Sequence, residues 1–478
     1  MPEEALAVRD DEMPVPFGVR AATGELLSGL KTEALRAIGV DPKAVTDRLL
    51  PQKHLAADES VTDPNDLKQA GWGVVLPANV SPDVVAALKP LLELRKQQAG
   101  NLYKEKELGG YVSGRSARDW LNSKGVGWGV VDPKKGVPLY LLLIGGPKQI
   151  PFEFQYMLDS YWNVGRLDFD NLADYRAYAE AVVAYETDAS VPTTRSSALW
   201  VTRNAADRPT GLLHNQVGVP LARGDNDHPA LGQAKRFKLT EYLGEQATRA
   251  NLESILRGAI PTGRPALLFT GSHGVAFDAA DPAAQREGQG ALLSQAWEKG
   301  TPPTPDQYLR AADLPVDTSV HGMIHFLFAC YGGGCPAGDT YDRGADGKPL
   351  PLMAEPITAR LPQRLLAKGA LAVLAHIDRA WAFSFQTDRG KSQIQDFRSV
   401  MELLLAGNRI GQATDDFNRR WSVLSAELTM LVEEQEATGT TAADMVTRLG
   451  NRWVARDDAR NYLVLGDPAV RLRVEAMP

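Results

Sequence analysis

Two residues of the 478-residue chain join a reactive side chain to a reactive position. Cys330 ends the apolar run MIHFLFAC and stands before Tyr331 and three glycines, while His273 ends PALLFTGSH and stands before Gly274. A free thiol has a pKa of about 8.5, so it needs a nearby imidazole or positive field to act as a nucleophile near neutral pH. Histidine titrates close to neutrality and can take that proton, then return it to a leaving group. The pair suits attack on a carbonyl carbon. The oxyanion that forms needs backbone donors, and the N–H groups of Gly274 and Cys330 are the candidates, because glycine lets the main chain approach closely.

The elements that must position this pair follow from the apolar pattern. GWGVVLP, VPLYLLLIGG, SSALWVTR, PALLFTG, MIHFLFA, ALAVLAHI and NYLVLG read as buried strands. Between them lie helix patterns. Ser81, Pro82 and Asp83 supply a cap and first turn ahead of VVAALKPLLELRKQQ, and LADYRAYAEAVVAYE, TEYLGEQATRANLESILRG and EPITARLPQRLLAKG follow. SQIQDFRSVMELLLAG and GQATDDFNRRWSVLSAELTMLVEEQEA add helices near the end. The alternation predicts an α/β fold, a mainly parallel sheet flanked by helices. Ligands of such sheets bind beyond the carboxyl ends of the strands, which places Cys330 and His273 on one edge. The Gly/Pro/Asn/Asp-rich stretch after SSALWVTR reads as a loop through about residue 232. Residues 1–65 read as a leader that packs on or caps the rest, with a helix candidate in LLSGLKTEALRAIGV.

Composition narrows the function classes. A hydrophobic share of 44% with 23% charged residues describes a globular, soluble protein, and no apolar run is long enough to span a bilayer. The acidic start MPEEALAVRDDE lacks the basic and apolar regions of a signal peptide, so a cytoplasmic address is expected. The net charge of -7 argues against nonspecific nucleic-acid binding, and neither nucleic acid nor membrane is an expected partner. The only cysteines, Cys330 and Cys335, form no disulfide framework, and no cysteine-histidine cluster offers metal ligands. Cys335 reads as a loop thiol. No metal or organic cofactor is expected. His321, His325 and His376 read as locally hydrogen-bonded strand residues. Asp339, Asp342 and Asp346 miss the spacing of a calcium loop and read as a solvated loop, whose Arg343 and Lys348 are candidate self-cleavage positions.

Ser272-His273-Gly274 and Ala329-Cys330-Tyr331-Gly332 resemble the His-Gly and Ala-Cys-x-Gly signatures of the caspase-like cysteine peptidases. Caspases place the histidine roughly 50 residues before the cysteine; here the separation is 57. Phe328, where caspases carry glutamine, and Tyr331 after the cysteine depart from that pattern. LYLLLIGGPKQIPFEF, LDSYWNVGRLDF and the closing LGDPAVRL look like segments of the gingipain-like branch, so the resemblance spans about residues 70–475. It implies a cysteine endopeptidase acting on a protein or peptide through a thioester. It further implies a smaller α/β subdomain over 66–195 and a catalytic subdomain over 196–478. By the same resemblance Asp159 would select Arg or Lys before the cut bond, with Trp381 walling that pocket, although aspartate also commonly caps turns. The alternative reading is a caspase-like scaffold that binds protein without cutting it.

Overall fold

The computed structural model describes residues 15–29, 60–278, 280–344, 347–387, 390–439 and 442–478. The helix candidate in the leader lies outside them, apart from its first residues at 26–29, which are not helical.

One ten-stranded sheet organises the chain. Its strands are β1 Trp72–Val75, β2 Tyr103–Lys104, β3 Tyr140–Ile144, β4 Asn163–Leu167, β5 Ser196–Val201, β6 Lys238–Leu243, β7 Leu267–Gly271, β8 Ile324–Phe328, β9 Ala372–His376 and β10 Tyr462–Gly466. The spatial order is β2-β1-β3-β4-β10-β9-β8-β7-β5-β6. Every neighbouring pair is parallel except β9 with β10, so two parallel half-sheets meet head to tail at that junction. Continuous apolar runs explain the central strands, since β3, β8 and β9 are buried along their whole length, as sheets covered on both faces require. No helix among the described residues is long and apolar enough to cross a membrane.

Two local expectations need correction. TEYL is not the start of a helix: it lies in the edge strand β6, and the helix begins at Arg249 after a Thr248 cap. The half-exposed Lys238–Leu243 segment gains its ladder from β5, a long-range partner that outweighs local propensity. The stretch up to residue 232 is not all loop either. Asp207 caps a helix over Arg208–Leu213, which runs on through a π-turn at His214–Gly218 into Val219–Arg223.

The closing Gly-Asp-Pro segment ties the first half-sheet to its helices, α1 Pro82–Ala99 and α2 Leu172–Thr187. Asp467 accepts from Trp72 Nε1 at 3.0 Å and from Arg95 Nε at 2.6 Å, and Arg95 also grips Glu186 of α2 at 2.6 and 2.8 Å. The late helices α3 Asp415–Thr438 and α4 Ala443–Arg460 supply a second apolar cluster with Trp421, Leu428, Leu449 and Trp453, into which Trp381 packs.

Candidate active site

β7 and β8 are parallel neighbours, with Gly271 opposite Phe328, so the chain leaves both strands at the same edge. His273 lies two residues past the end of β7, and Cys330 two past the end of β8. Gly274 then runs against Cys330 so closely that a Cβ on it would fall 1.9 Å from the Cys330 carbonyl oxygen, which admits only glycine. The chain turns sharply after the cysteine. Tyr331 and Asp378 hold φ of 59° and 78°, left-handed values that cost a non-glycine residue about 1–3 kcal/mol. The 2.7 Å bond from Tyr331 N–H to Asp378 O joins these two turns.

His273 is oriented by a residue that sequence reasoning missed. Its Nε2 lies 2.9 Å from Asp207 Oδ2, and the same carboxylate oxygen accepts from Thr210 Oγ1 at 2.6 Å and Thr210 N–H at 3.0 Å. Burial alone would raise the Asp207 pKa, but the histidine and Thr210 outweigh it and bring the group down to about 2. An ionised Asp207 holds the proton on Nε2 and leaves Nδ1, which has no hydrogen-bond partner among the described residues, able to accept a proton. The available signal was position: Asp207 follows β5 on the same sheet edge. Its N-cap role hid it.

Cys330 Sγ lies 3.3 Å from Ala380 N–H and 3.7 Å from Ala380 O, and burial pushes the thiol up. Among the described residues no hydrogen bond joins Sγ to the imidazole. The N–H groups of Gly274 and Cys330 converge on one oxygen, the carbonyl of Phe17, each at 2.9 Å. The segment carrying Phe17 lies along the site: Phe17 N–H donates to Ala380 O at 2.9 Å and Ala382 N–H donates to Val15 O at 3.1 Å.

Asp159 ends the helix Phe152–Asp159, its Oδ1 accepting Val164 N–H at 3.2 Å, and burial pushes its carboxyl well above the usual range. The Trp381 ring meets Tyr341 at 4.9 Å within the second cluster, its backbone N–H binds Asp458, and its backbone bridges Pro16 in the segment that lies along the site. Cys335 is no loop thiol. It is fully buried in the strand Gly334–Cys335, 3.5 Å from Gln289 Nε2. Asp339 is likewise buried and pairs with Arg379, and the supposed solvated loop contains the strands Gly338–Arg343 and Pro349–Pro351; Asp346 lies outside the described residues. His321 bonds Ala181 O, His325 bonds Thr270, and His376 pairs with Asp458. Burial pushes His325 down to about 3, where it stays neutral.

No protein-family model matches the sequence, and no curated protein matches it. Among solved structures, the chain is similar to the Arg-specific cysteine proteinase gingipain R, with a TM-score of 0.49 at 12% identity over 88% of this chain and 81% of that one. A complex of Porphyromonas gingivalis RgpB pro- and mature domains matches with a TM-score of 0.47 at 13% identity, over 84% and 80% of the two chains. The Saccharomyces cerevisiae separase–securin complex matches with a TM-score of 0.33 at 11% identity, over 91% of this chain and 22% of that one.

Proposed function

We propose that the protein is a cysteine endopeptidase with Cys330 as nucleophile, His273 as acid and base, and Asp207 as the group that orients the histidine. One observation carries this reading: two backbone N–H groups, from Gly274 and from Cys330 itself, meet on a single peptide carbonyl oxygen beside the thiol. Donors fixed in that geometry stabilise the oxyanion of an attacked amide. His273 Nδ1 takes the thiol proton, and the thiolate adds to the carbonyl carbon. The imidazolium then protonates the leaving amine, giving a thioester that water hydrolyses with the same imidazole as base. These steps need neither a metal nor an organic cofactor. A protein or peptide is the substrate.

Cleavage after Arg or Lys rested on Asp159, and the surroundings of that residue lend it no support. Its carboxyl is engaged by Val164 N–H, and burial disfavours its ionised form. A charge-assisted bond to a basic side chain needs the ionised form.

The test is digestion of a peptide library by wild type, Cys330→Ala and His273→Ala. Wild type is expected to cut, Cys330→Ala to be inactive, and His273→Ala to lose about 10²–10⁴-fold in rate. Equal turnover by Cys330→Ala would remove Cys330 from the role of nucleophile, and peptide binding without any cleavage would return the protein to the scaffold reading.

A further inference from the structure

Residues 15–20 run along the site, and the backbone contacts they make there are ones a substrate would need. Upstream of Phe17 the segment pairs antiparallel with residues 380–382, including a bridge between Pro16 and Trp381. Phe17 O receives the two oxyanion donors. Downstream, Gly18–Arg20 pairs in parallel with Gly274–Ala276. Gly18 lies on the nucleophile, since a Cβ added to it would meet Cys330 Cβ at 3.0 Å. Phe17, His273 and Cys330 are all 0% exposed, so the segment shuts the reacting groups off from solvent.

We propose that the Phe17-Gly18 peptide bond is a self-cleavage site, and that the pocket holding the Phe17 ring makes this enzyme select a large aromatic residue before the bond it cuts. The proposal rests on the peptidase reading above. The rings facing Phe17 are Phe328 edge-on at 4.8 Å, Phe385 at 5.7 Å and His273 at 6.1 Å. Phe328, which departs from the caspase signature, thus forms a wall of this pocket. A guanidinium or ammonium placed among these rings would lose its water without gaining a carboxylate, whereas a phenyl ring gains edge-to-face contacts.

In the self-cleavage step the Cys330 thiolate bonds to the Phe17 carbonyl carbon while the oxyanion stays on the Gly274 and Cys330 N–H groups. The bond from that carbon to the Gly18 nitrogen breaks as His273 donates its proton, freeing the Gly18 α-amine. Water then hydrolyses the thioester, with His273 as base, and leaves a carboxylate on Phe17 and a free thiol. The downstream pairing that a substrate must displace afterwards covers Gly18–Arg20, with one further bond from Ala21 N–H to Ala276 O at 2.8 Å and Val19 packed in the cluster that holds Val275.

The experiment follows the intact mass of the full chain during incubation at neutral pH, for wild type and Cys330→Ala. In parallel, wild type receives a synthetic peptide of residues 13–23 and the same peptide with Phe17→Arg. The expected result is a wild-type product that begins at Gly18, formed at a rate independent of protein concentration and absent in Cys330→Ala. The unaltered peptide is expected to be cut after Phe17 at least about tenfold faster than the Phe17→Arg peptide, a difference of about 1.4 kcal/mol. An enzyme that digests a peptide library through Cys330, yet keeps residues 1–17 or cuts itself after Arg343 or Lys348 instead, overturns this proposal and leaves the peptidase reading standing. Faster cleavage of the Phe17→Arg peptide also overturns it. No cleavage of chain or library sinks both.

Discussion

At the residue scale, the site depends on how His273 is held. Asp207 does not touch the reacting atoms; it positions the ring and fixes its proton on Nε2. Asp207→Asn should lower kcat by about 10²–10⁴-fold with little change in KM, measured by steady-state hydrolysis of a peptide. The fold should persist, because asparagine keeps an oxygen for Thr210. Its folded pKa of about 2 lies below the unfolded value of about 3.9. The stability Asp207 contributes is therefore present above pH 4 and is lost as pH falls through about 2. Urea unfolding of wild type and Asp207→Asn should accordingly differ at pH 7 and converge near pH 2. Cys330, His273 and Gly274 were legible in the sequence because each stands just past an apolar strand. Asp207 was not, since capping a helix accounts for an aspartate there without any reference to a histidine 66 residues on.

At the element scale, strand ends and a close backbone approach build the site. Gly274→Ala would force a methyl group to within 1.9 Å of the Cys330 carbonyl. The strand Gly274–Ala276 must then move away from Cys330. Peptide hydrolysis should fall by at least about 100-fold, since a misplacement of 1 Å already costs that much. Circular dichroism should show the secondary structure retained. The central strands were readable from their continuous apolar runs, which only a sheet covered on both faces tolerates. The edge strand β6 was not, because KLTEYL carries a helix-compatible composition and is stabilised by its pairing with β5. The helix Phe152–Asp159 was missed for a similar reason: Pro151 at its start and only eight residues of length give weak periodicity.

At the scale of the whole molecule, the closing strand β10 joins the half-sheet built from the first strands and carries the junction with β9. Asp467, just beyond it, is the buried counterion of Arg95, and both side chains are 0% exposed. Asp467→Ala would leave Arg95 with Glu186 as its one carboxylate partner among the described residues and free Trp72 Nε1 of its acceptor. Breaking such a buried pair costs about 3–5 kcal/mol, so the urea midpoint should drop markedly while the rate per folded molecule stays unchanged. These contacts join positions hundreds of residues apart, as does the approach of Phe17 to Cys330. Local patterns in the sequence carry no record of such pairings. That residues 15–20 run along Cys330 became visible only in three dimensions.

The central claim is that Cys330 attacks a peptide carbonyl, and the most direct measurement is the location of a covalent adduct. Full-length protein incubated at neutral pH is treated with a peptide chloromethyl ketone carrying phenylalanine next to the reactive carbon, then digested and mapped by mass spectrometry. The account predicts one modified residue, Cys330, with labelling slowed in His273→Ala and absent in Cys330→Ala. Labelling of Cys335 instead, or equal labelling of wild type and Cys330→Ala, would contradict it.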